Sequence, residues 1–122
     1  MIYTIENEYL RVKVSTVGAT LVSFIDKKTN TDIVLGFDDQ ASYFKNTGSH
    51  LGATVGRNAN RIADGSFVIN GEKYQLSLNE PGICLHSGVG DLSFRGYTLK
   101  ELKEDEIVLL LFDGDMSASL VI

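Results

Sequence analysis

Two short segments contain the polar residues best suited to chemistry: 52–67, GATVGRNANRIADGSF, and 79–88, NEPGICLHSG. The first includes Asn58, Asn60 and Arg61 within four positions, and the second includes His86, one of two histidines. An asparagine amide offers hydrogen-bond donors and an acceptor, and an arginine offers five donors in a planar fork. These groups match the hydroxyls of a sugar ring, and glycines let the backbone approach a ligand closely.

Each of these residues also has a simpler structural interpretation. Glycine and asparagine often make turns, surface arginines are usually solvated, and a histidine beside leucine is often a packed side chain. If residues 58–61 are extended, Asn58 and Asn60 share one face and Arg61 points away from it. A bulge or bend is then needed to bring Asn60 and Arg61 to one ligand.

Motifs for metals and nucleotides are weak in this chain. Cys84 and His86 are two positions apart with no second cluster, which matches no zinc signature. The run 113–115, DGD, resembles part of a calcium loop but lacks the later ligands, so it is expected to be a turn. No phosphate-binding glycine motif is present. We therefore predict neither a metal nor a cofactor.

The elements that must position these residues are mostly strands. Leu10, Val12 and Val14 alternate with polar residues, which predicts a half-buried strand, and 19–25 (ATLVSFI) has apolar residues on both faces, as in a strand between layers. Asn70-Gly71 predicts a hairpin with a type I′ turn, in which Tyr74, Leu76 and Leu78 belong to the second strand.

The rest of the chain follows the same pattern. Segments 97–102 and 106–112 predict a second hairpin, and 38–46 predicts a helix of two turns at most. Many short strands with glycine-rich turns predict a mainly β, antiparallel sandwich that forms one domain over 1–122. Ser117 to Ile122 begins a further strand. It either pairs back into the sheet, or the sequence is the front portion of a longer β protein.

Charge and hydrophobicity along the sequence indicate which partners and which cellular location to expect. The net charge is −5, from 11 basic and 16 acidic residues, which argues against binding nucleic acid. The N-terminus lacks the basic and apolar regions of a signal peptide, and no apolar run approaches the roughly 20 residues that span a bilayer. We therefore predict a cytoplasmic protein with no membrane partner.

Residues 48–88 resemble the aldose 1-epimerases, also called galactose mutarotases. Three linked motifs carry the resemblance: GxxxGRxANRI, a hairpin with F.L.G..Y.L, and N.G.N.LHGG. The matching positions are Gly52, Gly56, Arg57, Ala59, Asn60, Arg61, Ile62, Phe67, Gly71, Tyr74, Leu76, Asn79, Leu85, His86 and Gly88. A shorter match at Gly18, Ala19, Leu21 and Ser23 extends the resemblance, which covers 8–115.

The resemblance implies a large antiparallel β-sandwich of galactose-mutarotase type, with the sugar in an open cleft. It also implies an isomerase of carbohydrate metabolism that interconverts α and β anomers of free hexoses such as galactose and glucose, without a cofactor. In that family a carboxylate deprotonates the anomeric hydroxyl and a histidine protonates the ring oxygen. By position, Asn60, Arg61 and His86 match the family's substrate-binding residues, and Arg57 is expected to be structural.

The chain also departs from the family pattern. Ser87 replaces the first glycine of LHGG, Tyr97 stands where tryptophan is usual, and the family's turn after DGD is absent. The acid histidine of NHSYFNL, a substrate-binding aspartate and the carboxylate base have no counterpart here, so no catalytic residue is assigned. We therefore expect the front portion of a mutarotase domain, which self-associates through sheet faces left uncovered.

Three functions follow from these observations. The chain is either part of an aldose 1-epimerase, a non-catalytic carbohydrate-binding β module that retains Asn60, Arg61 and His86, or an interaction domain that retains only the scaffold. Sugar binding separates the third function from the first two, and turnover separates the first from the second.

Overall fold

The computed structural model describes residues 1–46, 48–114 and 116–122. Within these ranges the chain is mainly β, and every pairing between its strands is antiparallel. The strands are β1 (Ile2–Glu6), β2 (Leu10–Ser15), β3 (Thr20–Asp26), β4 (Thr31–Asp32), β5 (Arg61–Ala63), β6 (Ser66–Ile69), β7 (Glu72–Gln75), β8 (Ile83–Leu85), β9 (Thr98–Leu102), β10 (Ile107–Asp113) and β11 (Met116–Val121). Helix α1 is Gln40–Lys45, and 3-10 turns lie at Gly88–Gly90 and Leu92–Phe94. The predicted mainly β, antiparallel fold class is confirmed.

The chain divides into two compact units. Unit 1 comprises residues 1–54 and 93–122, and unit 2 comprises residues 55–92. The prediction of one partial domain over 1–122 is not decided by this division and stays a prediction. None of the helices in the described ranges has the length and apolar character needed to cross a membrane.

Unit 1 contains a four-stranded sheet in the order β1-β2-β3-β4. In β2 the predicted alternation is present, because Val12 and Val14 are buried while Arg11 and Lys13 are exposed. Val14 is fully buried, and burial of a side chain of this kind contributes about 1.5–3 kcal/mol. The hydrophobic alternation of β2 therefore sets which face of this sheet joins the core.

A three-stranded sheet in the order β11-β10-β9 completes unit 1. Strands β9 and β10 form the second predicted hairpin. Along β10, Leu109 and Leu111 are buried, whereas Phe112 on the opposite face is 68% exposed. Strand β11 pairs with β10, and Ile107 and Ile122 exchange backbone hydrogen bonds of 2.9 and 3.0 Å. The last residues of the chain thus pair back into the sheet.

The short helix and the DGD turn are the remaining features predicted in unit 1. Helix α1 has six residues, as expected, and the Asp39 carboxylate accepts a hydrogen bond from the Ser42 N–H at its start. Its buried residue Tyr43 accepts a hydrogen bond from the Phe37 N–H at 2.9 Å. Asp115 lies outside the described residues, so the prediction that 113–115 form a turn stays a prediction.

Unit 2 contains two antiparallel pairs of strands, the hairpin β6-β7 and the pair β5-β8. Asn70 and Gly71 have φ of 52° and 83°, so the predicted type I′ turn joins β6 to β7. Strand β7 ends at Gln75, earlier than the sequence predicts, and all its residues are exposed. Tyr74 stacks on Phe67, with ring centroids 5.4 Å apart, which covers part of this surface.

Candidate functional site

The pairing of β5 with β8 brings the two polar segments together. Arg61 lies opposite Leu85, and Ile62 lies opposite the fully buried Cys84. Because the strands are antiparallel, the residue that precedes β5 and the residue that follows β8 lie at the same end of the pair. These two residues are Asn60 and His86.

Asn60 and His86 are joined by two hydrogen bonds. The backbone N–H of Asn60 donates to Nδ1 of His86 at 3.0 Å, and the backbone N–H of His86 donates to the carbonyl of Asn60, also at 3.0 Å. A nitrogen that accepts a hydrogen bond carries no proton, so the neutral imidazole has its proton on Nε2. The backbone of Asn60 therefore sets both the orientation and the tautomer of His86.

The bend required by the sequence occurs at Asn60, whose φ is 65°. As a result Arg61 does not point away from it. Nη1 of Arg61 donates to Oδ1 of Asn60 at 3.4 Å, and Nε of Arg61 donates to Oε2 of Glu80 at 3.4 Å. Asn60 thus contacts both Arg61 and His86, and the structure brings the three predicted site residues to one place.

The three residues differ in exposure. Asn60 and Arg61 are exposed, with 55% of the Arg61 side chain accessible, whereas His86 is half-buried. The ion pair of Arg61 with Glu80 lies at the surface, where such pairs contribute about 0–1 kcal/mol. The pair therefore orients the guanidinium more than it stabilises the fold.

Asn79 fixes the backbone immediately before His86. Its Nδ2 donates to the carbonyl of Leu85 at 2.9 Å, and its Oδ1 accepts from the N–H of Leu85 at 2.7 Å. One side chain thus satisfies both backbone polar groups of Leu85. The sequence indicated Asn79 only as part of a turn and of a family motif, because a contact of this kind has no local signature.

Residues 86–88 form an unusual run of left-handed backbone. The φ values are 50° for His86, 70° for Ser87 and 64° for Gly88. The Ser87 hydroxyl accepts from the N–H of Asn58 at 2.7 Å and donates to the carbonyl of Asn58 at 3.3 Å. A Cβ on Gly88 would lie 2.6 Å from the carbonyl oxygen of Ser77, so only glycine fits there without a shift. The loop is therefore held tightly on both sides of His86.

His50 and Arg57 are the other basic residues considered from the sequence. The ring of His50, in unit 1, packs at 5.1 Å from the ring of Phe94. Arg57 is exposed, and its structural role stays a prediction. Among the residues that the structure describes, no three His, Cys, Asp or Glu side chains group together as a metal site requires.

The cluster has the chemistry of a site for a neutral polyol. Arg61 supplies donors, Asn60 supplies a carboxamide, and His86 supplies an imidazole N–H and a neighbouring backbone. Glu80 places a negative charge 3.4 Å from the guanidinium of Arg61. We define the group Asn60, Arg61 and His86 as the Asn-Arg-His cluster.

Comparison with known proteins places these features in one family. The family model for aldose 1-epimerase matches residues 1–118. The chain is 37% identical over 90 residues to the galactose mutarotase of Bos taurus, which covers 71% of this chain and 26% of that protein. It is 32% identical over 121 residues to a probable aldose 1-epimerase of Arthroderma benhamiae, covering 93% of this chain and 28% of that one.

Solved structures give the same result. A GalM/aldose epimerase homologue from C. elegans superposes with a TM-score of 0.81 and 29% identity over 91% of this chain and 35% of its own. The galactose 1-epimerase of Lactobacillus acidophilus gives a TM-score of 0.78 and 29% identity over 92% of this chain and 34% of its own. The chain spans about a quarter of the length of curated relatives such as the bovine protein.

Proposed function

The chain belongs to the aldose 1-epimerase family, a family of isomerases, and from this membership we propose that its Asn-Arg-His cluster binds a free hexose. The resemblance stated from the sequence is confirmed, and the fold is of galactose-mutarotase type. Galactose is the first hexose we propose, because relatives are named for it, and glucose is the second, from the resemblance stated from the sequence. The cytoplasmic location and the absence of a nucleic-acid partner stay predictions from composition.

One observation carries the proposal: Asn60 contacts both Arg61 and His86 although His86 is distant in sequence. A pyranose ring presents several hydroxyls close together. Its recognition therefore requires hydrogen-bond donors and acceptors from several side chains that point to the same place. Polar groups that are placed in advance lose little conformational entropy when a ligand binds. The two hydrogen bonds between Asn60 and His86 provide this placement before any sugar arrives.

The reaction itself needs an acid and a base in addition to sugar contacts. Interconversion of anomers removes the proton of the anomeric hydroxyl and adds one to the ring oxygen, so that the ring opens and closes on its other face. We assign neither role to residues 1–122. In our proposal the pair belongs to the part of the relatives' length that this chain does not cover, and the chain supplies sugar contacts alone.

A galactose titration followed by NMR chemical shifts tests the binding proposal. We expect Arg61→Ala to weaken binding about tenfold or more, because hydrogen bonds from a charged group contribute about 1.5–3 kcal/mol. Arg11→Ala is a matched control, since Arg11 is also a surface arginine paired with a glutamate, Glu6, at 2.7 Å in unit 1. Equal affinities for the two variants would contradict the assignment of Arg61.

A polarimetric mutarotation assay separates the enzyme from the binding module. We expect the 122-residue chain to bind galactose but to leave its mutarotation at the spontaneous rate. A rate near that of a full-length relative would show that the acid and base lie within this chain. Absence of any sugar binding by a folded chain would instead favour an interaction domain.

A further inference from the structure

Ser87 forms a second connection between the two segments that carry the Asn-Arg-His cluster. The first connection is the pair of bonds between Asn60 and His86. In the second, the Ser87 hydroxyl accepts a hydrogen bond from the N–H of Asn58 at 2.7 Å and donates one to the carbonyl of Asn58 at 3.3 Å. We call the contact between Ser87 and Asn58 the serine clip.

The backbone conformation at Ser87 favours glycine, so the presence of a serine hydroxyl there needs an explanation. With φ of 70°, this position lies in the left-handed region, which side chains adopt with strain and glycine adopts freely. A glycine would therefore relieve strain at this position, but it would remove the clip. Compared with glycine, serine adds a hydroxyl, and this hydroxyl hydrogen-bonds to the backbone of Asn58, in the segment that leads into Asn60.

The serine clip and the Asn60–His86 bonds together restrict the orientation of the His86 loop more than either connection does by itself. The Asn60–His86 bonds form one point of attachment between residues 86–88 and the segment that contains Asn60. The serine clip lies two residues before Asn60 and one residue after His86, so it forms a second point of attachment. The clip is also part-exposed, so its loss does not open a cavity in the core.

We propose that Ser87 is a positioning residue for the sugar site, which holds His86 in register with Asn60 and Arg61 through the serine clip. This inference rests on the proposed sugar binding by the Asn-Arg-His cluster. Its consequence is a site organised before binding, so loss of the clip weakens affinity by the cost of ordering the loop when sugar binds. We expect a loss of about three- to tenfold in affinity for galactose, the size of one or two hydrogen bonds.

A pair of variants separates positioning from simple stabilisation. Ser87→Ala removes the hydroxyl and keeps the strained backbone, whereas Ser87→Gly removes the hydroxyl and relieves the strain. We therefore expect Ser87→Ala to lower the melting temperature by several degrees, while Ser87→Gly stays near wild type. Both variants should nevertheless bind galactose equally weakly, because both lack the clip. An affinity that follows stability, with Ser87→Gly binding like wild type, would overturn the proposal.

Ser77→Ala is the matched control. The Ser77 hydroxyl also accepts from a backbone N–H, but that of Val89 at 3.0 Å, in the same unit, rather than one in the segment 58–61. We expect this variant to lose stability and to keep its affinity for galactose. If it loses affinity to the same extent as the Ser87 variants, a general loosening of unit 2 explains the result and the positioning role is refuted.

Galactose binding by wild type distinguishes failure of this inference from failure of the proposed function, and amide hydrogen exchange reports whether the serine clip is lost. We expect the Asn58 amide to exchange faster in both Ser87 variants than in wild type and in Ser77→Ala. If wild type binds no galactose, the proposed function fails and the positioning role fails with it, whatever the exchange shows. If wild type binds and the Ser87 variants bind equally well, the positioning role alone is wrong.

Discussion

Gly88→Ala is expected to be far more damaging than Gly82→Ala, although both glycines have left-handed backbone in unit 2. Their φ values are 64° and 72°. A Cβ on Gly82 meets no heavy atom within 4 Å, so the alanine there reports the backbone conformation alone. We expect it to cost about 1 kcal/mol, the usual penalty for a side chain in this region.

At Gly88 a steric cost is added to the same backbone cost. The new Cβ would lie 2.3 Å from Oγ and 2.6 Å from the carbonyl oxygen of Ser77. The hydroxyl can rotate away, with loss of the bond from the Val89 N–H, but the carbonyl belongs to the backbone. One of the two chain segments must therefore shift. Such overpacking costs about 1–3 kcal/mol, so the total for Gly88→Ala is about 2–4 kcal/mol.

Urea denaturation followed by circular dichroism measures the free energy of unfolding of each variant. The difference between Gly88→Ala and Gly82→Ala gives the steric cost at position 88. The double variant Ser77→Ala/Gly88→Ala removes the hydroxyl contact but keeps the carbonyl contact, so we expect it to recover only part of the loss. Equal destabilisation by Gly88→Ala and Gly82→Ala would show that residues 77 and 88 are not packed as described. The same two proteins titrated with galactose show whether a shift of the loop at Gly88 also displaces His86.

Three further predictions concern other contacts. Asn79→Asp keeps an acceptor but replaces the amide donor by a carboxylate facing a carbonyl, so we expect a loss of about 1–2 kcal/mol in thermal denaturation and weaker galactose binding. The Ser23 hydroxyl, followed by two backbone N–H groups, holds the pKa of Asp32 below its ordinary value. The stabilisation is therefore present above about pH 4 and is lost as pH falls through the folded-state pKa, and Asp32→Asn should flatten this acid dependence of the melting temperature. We also predict self-association, because β11 is an edge strand among the described residues, and sedimentation that gives the monomer mass at every concentration would contradict it.

Local signals explain which parts of the fold could be predicted from the sequence. Alternation in β2 and the Asn70-Gly71 turn each act within a few residues, so their structures follow from side-chain direction and turn geometry. The extent of β7 was predicted less well. Leu76 and Leu78 continue the alternation of Tyr74, but the strand ends at Gln75. Alternation shows which residues can share a face, whereas the end of a strand depends on where its partner ends.

The site was predictable only in part, because its contacts are distant in sequence. The residue types and the family motifs indicated Asn60, Arg61 and His86, and the sequence required a bend between the first two. The structure shows the bend as left-handed backbone at Asn60. The supporting contacts of Asn79 and Ser87 were missed, because β5 and β8 have three residues each and give almost no signal that they pair.

In our proposal, sugar binding and mutarotation depend on different residues. The hydrogen bonds that Asn60, Asn79, Glu80 and Ser87 contribute to the Asn-Arg-His cluster and its loop lie within residues 58–87. Three non-glycine residues of this cluster and its loop, Asn60, His86 and Ser87, adopt left-handed backbone, a conformation that persists at ligand sites when surrounding contacts over-determine it. These contacts lie inside unit 2, so they form without the acid and the base that our proposal places outside residues 1–122. We therefore predict that the chain binds galactose without accelerating its mutarotation.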